Sequence, residues 1–550
     1  MHRVFLFAVL LGSLLIQCKQ KETSDQQVDQ VSELGELQHH FNLNAGTASY
    51  FNKGLLLLHN FEYDDALAEF QKGIAVDSTE IMLHWGEAMA YYKALWGLQN
   101  TDQGQKILLR FGAERQERLA SIDDPLEKDL WEGLEIIYDD GPFEEQNQKF
   151  SKHMEGLHLK YKGHQEISAF YVLSLIWATE EYGDGSPDLH RAASIADEIL
   201  AINPHHPGAL HYKIHALDGP LSAAGAHQAA DAYAKVAPDA AHALHMPSHI
   251  YLALGEWSEV VSSNIASYEA SVKRMEKLGL KDGARGYHSF AWLHYGLLQQ
   301  GRYKEAEQLL KDMLTHVPKD PTKGARVYLL GMQNRQLVEA GSFSEEVQLD
   351  LDVKVEDLGL EAESMKSYLI AQLAMEDQDM DAIEHQIDWL NQRKSVAETI
   401  VRGGSVSMCS GGATRYAPTE NILKSTEVVI AQMQAMIARL NDDDKLYEQH
   451  LLSATNIESE TDYPTGPVRI ALPSFEAYGD WLLNQERYEE ALHQFDQALE
   501  RMPQRTKSLM GKLAALKELG KQKEANEITQ RLRSIWHQAD PEVLKLVAQI

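Results

Sequence analysis

The sequence predicts an all-α protein, a right-handed α-solenoid built from repeated helix pairs with partly degenerate repeats. Three observations predict it. Apolar residues recur three and four positions apart through most of the chain, and no segment alternates with period two. The 550 residues exceed what one hydrophobic core normally supports, which favours an array whose units pack on their neighbours. Ala, Leu, Glu and Gln dominate while Pro is sparse, at 16 residues, as long helical arrays require. The formal net charge of −31 would repel phosphates and argues against a nucleic-acid partner.

The first segment stands outside that array. His2 and Arg3 precede an apolar run from Val4 to Ile16, and Cys18 follows. The run is too short to stay in a bilayer as a spanning helix. Residues 1–18 resemble a bacterial lipoprotein signal cut before Cys18, whose thiol is then lipidated, although Gln17 stands where a small residue is usual. The alternative is an ordinary secretory signal with an incidental Cys18. Either reading exports the chain to the cell envelope. The lipid version anchors it to a membrane, on the periplasmic or outer-membrane side. Polar residues 19–40 then read as a disordered tether. With Cys18 lipidated, Cys409, the only other cysteine, has no partner, so stability rests on packing.

Beyond the tether three regions follow: a helical array over 41–320, a degenerate helical region over 321–460, and C-terminal repeats over 461–550. In the first, Gly54, Ala66 and Phe70 stand at helical spacing. Helices are expected at 127–138, 143–161, 167–182 and 189–202, then at 324–339, 361–374, 381–393 and 426–440. Loops carry the breaks at 183–187, 318–321 and 402–418. The clearest pair lies at 473–503, where Tyr478, Gly479 and Leu482 share one helix and Tyr488, Ala491, Phe495 and Ala498 the next, ended by Pro503. Ala525 follows Ala491 by 34 residues, and GEWSEVV and GRYKEAE repeat the turn that opens a second helix. This pattern resembles a tetratricopeptide (TPR) repeat at each of its signature positions.

LHWGEAMAYYKALWG, HPGALHYKIHALD, APDAAHALHMPSHIY and TGPVRIALPSFEAYGDWLL are also similar to stretches of one family of exported bacterial TPR proteins of poorly defined role. Some members carry a His-Pro where this chain reads Lys93-Ala94, and another where it reads Tyr463-Pro464. Any role of those histidines is therefore not carried over.

The strongest chemical signal is histidine. The chain holds 24, and eight of them fall between His205 and His249. In a register set by Pro238, one repeat begins at Pro207, the next at Ala241, and a third near Tyr287, fixed by Ala306. TPR resemblance implies that the second, fifth, ninth and twelfth positions of each first helix face a concave groove. His211, His215, Asp218, His242, His245, His249 and His288 all take such positions. Residues four apart share a helix face, so the pairs His211/His215 and His245/His249 are expected to close on one metal ion, with His242 and His288 at the rim. Imidazole suits zinc, copper, nickel or iron, and its neutral form binds at pH 7. Asp218 would ligate or orient a ring from the second shell.

Other readings stay open. The groove would bind a peptide or small organic anion through its histidines with Tyr212, Tyr251 and Arg285, as a protein-partner adaptor would. The histidines would be purely structural, with His205 and His206 capping tight turns and His294 buried in core. A glycan-binding lipoprotein would use surface aromatics, but all nine tryptophans lie within helical patterns. Nothing assembles a catalytic set: there is no HExxH helix, Glu87 stands alone inside an apolar helix, and the loop carrying Ser407, Cys409 and Ser410 lacks the strand–loop–helix context of a nucleophile elbow. Cys18→Ser is expected to release the protein from membranes, read by fractionation after a high-salt wash. Retention of the variant on the membrane would exclude the lipid anchor.

Overall fold

Helices pair because an aromatic ring on the second helix fills the space that glycine leaves on the first. In the computed structural model, which describes residues 33–39, 41–96, 98–179, 185–402 and 417–549, Phe70 on the helix Tyr63–Val76 lies between Gly54 and Gly86. A Cβ at either glycine would come within 2.6 or 2.3 Å of its ring. Gly54 belongs to the preceding helix Ala48–His59 and Gly86 to the following helix Ile81–Tyr91. Phe495, on Tyr488–Arg501, repeats this between Gly479 and Gly511, at 2.8 and 2.2 Å. One ring therefore sets the spacing of three consecutive helices, and the array is an all-α, TPR-type solenoid.

The turn inside each pair needs one residue with a left-handed backbone. Gly255, Gly301 and Gly520 fill that position with φ of 71°, 66° and 69°, as glycine does at no steric cost. Phe61 takes it at φ 56°, where a bulky side chain is strained.

The helices expected at 127–138, 143–161, 189–202, 324–339 and 361–374 occur as Pro125–Ile137, Phe143–Lys160, Pro187–Leu200, Lys323–Ala340 and Leu360–Glu376. Three others differ. Gln165–Ala178 ends before the expected 182, and Met380–Arg402 continues past 393. Glu420–Leu440 starts six residues early because the Thr419 side chain caps it, accepting from the Ile422 N–H. A two-residue antiparallel ladder, Tyr92–Lys93 with Leu98–Gln99, also escapes the period-two search, being too short to alternate. Of the tether expected over 19–40, residues 33–39 are docked: the Glu36 N–H donates to the His205 carbonyl at 3.0 Å, and Asn60 donates to the Leu34 carbonyl at 2.9 Å. Cys18, the signal segment and the loop residues Ser407, Cys409 and Ser410 lie outside the described residues.

The C-terminal repeats pack back on the middle of the array. Trp257 Nε1–H donates to the Gln504 carbonyl and Trp536 Nε1–H to the Gln299 carbonyl, both at 3.0 Å. Between these contacts Arg505, wholly buried, donates to Glu339 at 2.5 Å, to Glu476 at 2.7 and 2.9 Å, and to the Tyr295 hydroxyl at 3.0 Å. Four helices distant in sequence meet at that guanidinium. Arg505→Met would leave two buried carboxylates unpaired, at a cost of about 3–5 kcal/mol. A lower urea midpoint is the expected result, and a midpoint equal to wild type would show that the network does not hold the repeats together.

Candidate metal centre

Six imidazoles from three successive first helices stand in one row. His211 and His215 lie one turn apart on the helix Pro207–Ala216. Its start is well specified: His206 Nδ1 accepts from the Ala209 N–H at 3.2 Å, and Pro207 takes the first position, where no N–H is needed. His245 and His249 straddle the junction between Ala241–His245 and Pro247–Leu254, where Pro247 has no N–H to continue the ladder. His242 and His288 each sit second on their helix, Ala241–His245 and Tyr287–Gln299.

Ring centroids run from His215 to His211 at 4.8 Å, to His242 at 4.9 Å, and to His245 at 6.4 Å. From His245 they continue to His249 at 5.0 Å and His288 at 4.4 Å. Nitrogens of His211, His215 and His242 all lie within 4.8 Å of one another, and so do those of His245, His249 and His288. The expected set of His211, His215, His245 and His249 is divided between these two trios, each pair joined by the second-position histidine of the next first helix. The ninth position also comes close, with His249 6.2 Å from His215. His242 and His288 are thus members of the two trios and not their rim.

Hydrogen bonds place the Nδ1 proton of three of the rings. His211 Nδ1 contacts the His59 carbonyl at 2.7 Å, so it carries the proton and donates. His245 Nδ1 donates to Asn264 Oδ1 at 2.7 Å, and the amide is oriented by its own Nδ2–H, which donates to the Val260 carbonyl. His249 Nδ1 donates to Asp218 Oδ2 at 2.6 Å, the orienting role expected of Asp218. With both rings neutral, His245 Nε2 and His249 Nε2 each carry a lone pair, and they face each other at 3.2 Å. His211 Nε2 faces His242 Nε2 at 3.1 Å. His215 Nε2 is buried with no hydrogen-bond partner. Two nitrogens about 2.0–2.1 Å from one tetrahedral ion lie about 3.3 Å apart.

Burial favours the neutral form of four of the six rings. It pushes His215 down to about 3, with the neighbouring His249 adding to the effect. Desolvation carries His211, His242 and His245 well below the ordinary imidazole range, reinforced by the rings beside them.

A third cluster, His59, Glu166 and His206, has the residue types of a metal site but a different bonding pattern. Both His59 Nε2 (2.7 Å) and His206 Nε2 (3.3 Å) face the Glu166 carboxylate. The Tyr212 hydroxyl meets His59 Nδ1 at 2.8 Å, and His206 Nδ1 is the helix cap. Both ring nitrogens of His59 are hydrogen-bonded, whereas His206 Nε2 makes no hydrogen bond and meets Glu166 only at ion-pair distance. Despite complete burial the two imidazoles hold Glu166 well below the usual carboxylate range. This cluster is a core ion pair.

The remaining expectations divide. Tyr212 is fully buried on His59, Tyr251 is bonded to Asp231 at 2.8 Å, and Arg285 donates to Asp282 at 2.8 Å. Their polar atoms are committed elsewhere, so they do not join the histidine row. His206 is a cap as expected, whereas His205 is exposed and faces Glu36 at 2.9 Å. Glu87 pairs with Arg110 at 2.5 Å. Seven of the nine tryptophans are buried, which removes them from any surface glycan platform.

Sequence reasoning missed the walls of the row. Phe61 stacks on one end, 4.3 Å from His211 and 5.5 Å from His242, and Trp96 of the short hairpin lies 5.7 Å from His242. Trp292 closes the other end, 4.4 Å from His249 and 4.9 Å from His245. An aromatic at position 61, where matching turns carry glycine, was the available signal.

No family model and no curated protein matches the chain. Among solved structures, the human IFIT1 dimer with m7Gppp-AAAA shares 13% identity over 90% of this chain and 91% of that one, with a TM-score of 0.31. The APC/C hetero-tetramer Cut9-Hcn1 shares 10% over 91% and 83%, at 0.35. The P58(IPK) TPR domain shares 11% over 87% and 99%, at 0.20. At these values they bear on no residue of the site. Among the described residues no helix is long and apolar enough to cross a membrane.

His294 is core, as expected: it is wholly buried, bonded to Gln336 at 3.0 Å, and pushed down to about 3 by desolvation. In the unfolded chain it titrates near 6.5, so between about 6.5 and 3 only the unfolded state binds its proton. Its contribution is complete above about pH 6.5 and is lost as pH falls toward 3, at up to about 1.4 kcal/mol per unit. His294→Gln should flatten that part of the stability–pH profile, measured by urea unfolding. An unchanged slope would show that His294 is protonated in the fold.

Proposed function

We propose that this protein is a metal-binding helical-repeat scaffold whose two adjacent three-histidine sites, His211/His215/His242 and His245/His249/His288, each take one transition-metal ion. The observation that carries the reading is the pair of lone-pair nitrogens on His245 and His249, facing at 3.2 Å while both Nδ1–H groups are committed to Asn264 and Asp218. With both rings neutral, two acceptors at that distance repel, and a metal ion between them removes the repulsion. Zinc, copper, nickel and iron all suit neutral imidazole. Asp218, Asn264 and the His59 carbonyl orient the rings and raise their basicity. Three protein ligands leave a coordination position open on each ion, so the scaffold can hand the metal on or present it to a partner. Repeat arrays offer extended surfaces for protein partners, and a lipid on Cys18 would hold this one at a membrane.

Elemental analysis of untagged protein should find about two equivalents of transition metal, with one lost in His242→Ala and the other in His288→Ala. Asp218→Asn should weaken the second site about 10- to 100-fold. Protein that contains no transition metal and takes none up in titration would overturn the reading and leave the histidines as structural groups.

A further inference from the structure

A cavity of about 1190 Å³ opens beside the second trio, and His288 and Trp292 form part of its wall. Tyr328, Gly331 and Arg335, one stripe of the helix Lys323–Ala340, form another part. The Tyr328 hydroxyl meets His288 Nδ1 at 2.7 Å. Arg335 stands seven residues on, two turns and about 10 Å along the same helix.

Arg335 is an unusual cation. It is only 9% exposed, and among the described residues no carboxylate lies within ion-pair distance of it. Its Nε and Nη2 both donate to one main-chain carbonyl, that of Val468, at 3.3 and 3.1 Å, which leaves Nη1 without a partner. The carboxylates in its field are already committed, Glu361 to Arg469 at 3.2 Å and Glu339 to Arg505 at 2.5 Å. Arg501, on the same cavity wall and also 9% exposed, likewise donates to carbonyl oxygens, those of Thr461 and Asp462. Gly331 makes the room: a Cβ there would stand 2.9 Å from Arg335 Nη1. A buried guanidinium without a counter-charge costs several kcal/mol, and a bound anion removes that cost.

We propose that this cavity binds a small organic oxyanion, with its carboxylate or phosphate held at Nη1 of Arg335 and its body lying toward His288. Arg presents its N–H groups in a planar fork that matches either group. The site does not require metal in the histidine trios, and its test leaves metal out.

Succinate and inorganic phosphate are titrated calorimetrically into the full chain stripped of metal, at fixed ionic strength. At least one should bind, and Arg335→Met should weaken it about tenfold or more, the loss of a charge-assisted contact. Gly331→Ala keeps both charge and helix while displacing Nη1, so it should also weaken binding, and it decides the matter if Arg335→Met does not fold. Binding of succinate alone assigns a carboxylate ligand, and binding of phosphate alone a phosphorylated one. The proposal is overturned if neither anion binds the stripped chain, or if both variants bind as wild type does.

Discussion

The spacing between successive helices is set by aromatic rings lying on glycine, and the histidine row depends on that spacing. Phe70 lies on Gly54 and Gly86, and Phe495 on Gly479 and Gly511, with no room for a Cβ at any of the four. Such contact holds neighbouring first helices close enough for side chains four apart on one to meet a side chain on the next. Around the row the close approaches are of Gly208 to His59 and of Gly296 to Val260 and Val261, and there His211 and His215 meet His242 while His245 and His249 meet His288. Wider packing would leave the two i, i+4 pairs separate from the rings of the next helix. The chemistry of the row is thus a consequence of backbone approach in the repeats around it.

What separates a binding histidine from a core histidine here is the accounting of ring nitrogens rather than residue type or burial. His59, His206 and His211 are all fully buried. His59 bonds a carboxylate at one nitrogen and a hydroxyl at the other, and His206 caps a helix through Nδ1 while its Nε2 lies 3.3 Å from the Glu166 carboxylate. His211 donates at Nδ1 and then faces another imidazole at Nε2. His215 Nε2 faces no partner at all. A buried polar atom without a partner is rare because it costs about 1–3 kcal/mol. His215 Nε2 is one such atom in the row, and His294 Nδ1 is one in the core.

Much of this was legible in the sequence, and the part that was not has a physical reason. The 34-residue step from Pro207 to Ala241 put both i, i+4 pairs on one face, and the His-Pro-Gly start of the first helix was readable from capping chemistry alone. Which three rings share a point was not readable, because that depends on the axial offset between helices. The groups that orient the rings were hidden for another reason. The His59 carbonyl lies 152 residues from His211 in sequence, Tyr328 lies 40 from His288, and Asn264 lies 19 from His245 on a second helix that carries no other ligand. Periodicity reports which face a residue occupies and is silent about what approaches that face from elsewhere in the chain.

Phe61 joins these two levels. The turns at Gly255 and Gly301 read Gly-Glu-Trp and Gly-Arg-Tyr, and the matching turn at 61 reads Phe-Glu-Tyr. Glycine would relieve a left-handed backbone that costs a bulky residue of order 1–3 kcal/mol. The ring instead lies across His211, His215 and His242, at 4.3, 5.9 and 5.5 Å. There it covers the first trio, while Trp292 lies against the second at the wall of the open cavity. Removing water lowers the local dielectric, which keeps the imidazoles neutral and strengthens their attraction for a cation. The strain at Phe61 and the depressed basicity of His211, His215 and His242 are then two consequences of one arrangement: a dry, apolar enclosure built around nitrogen lone pairs.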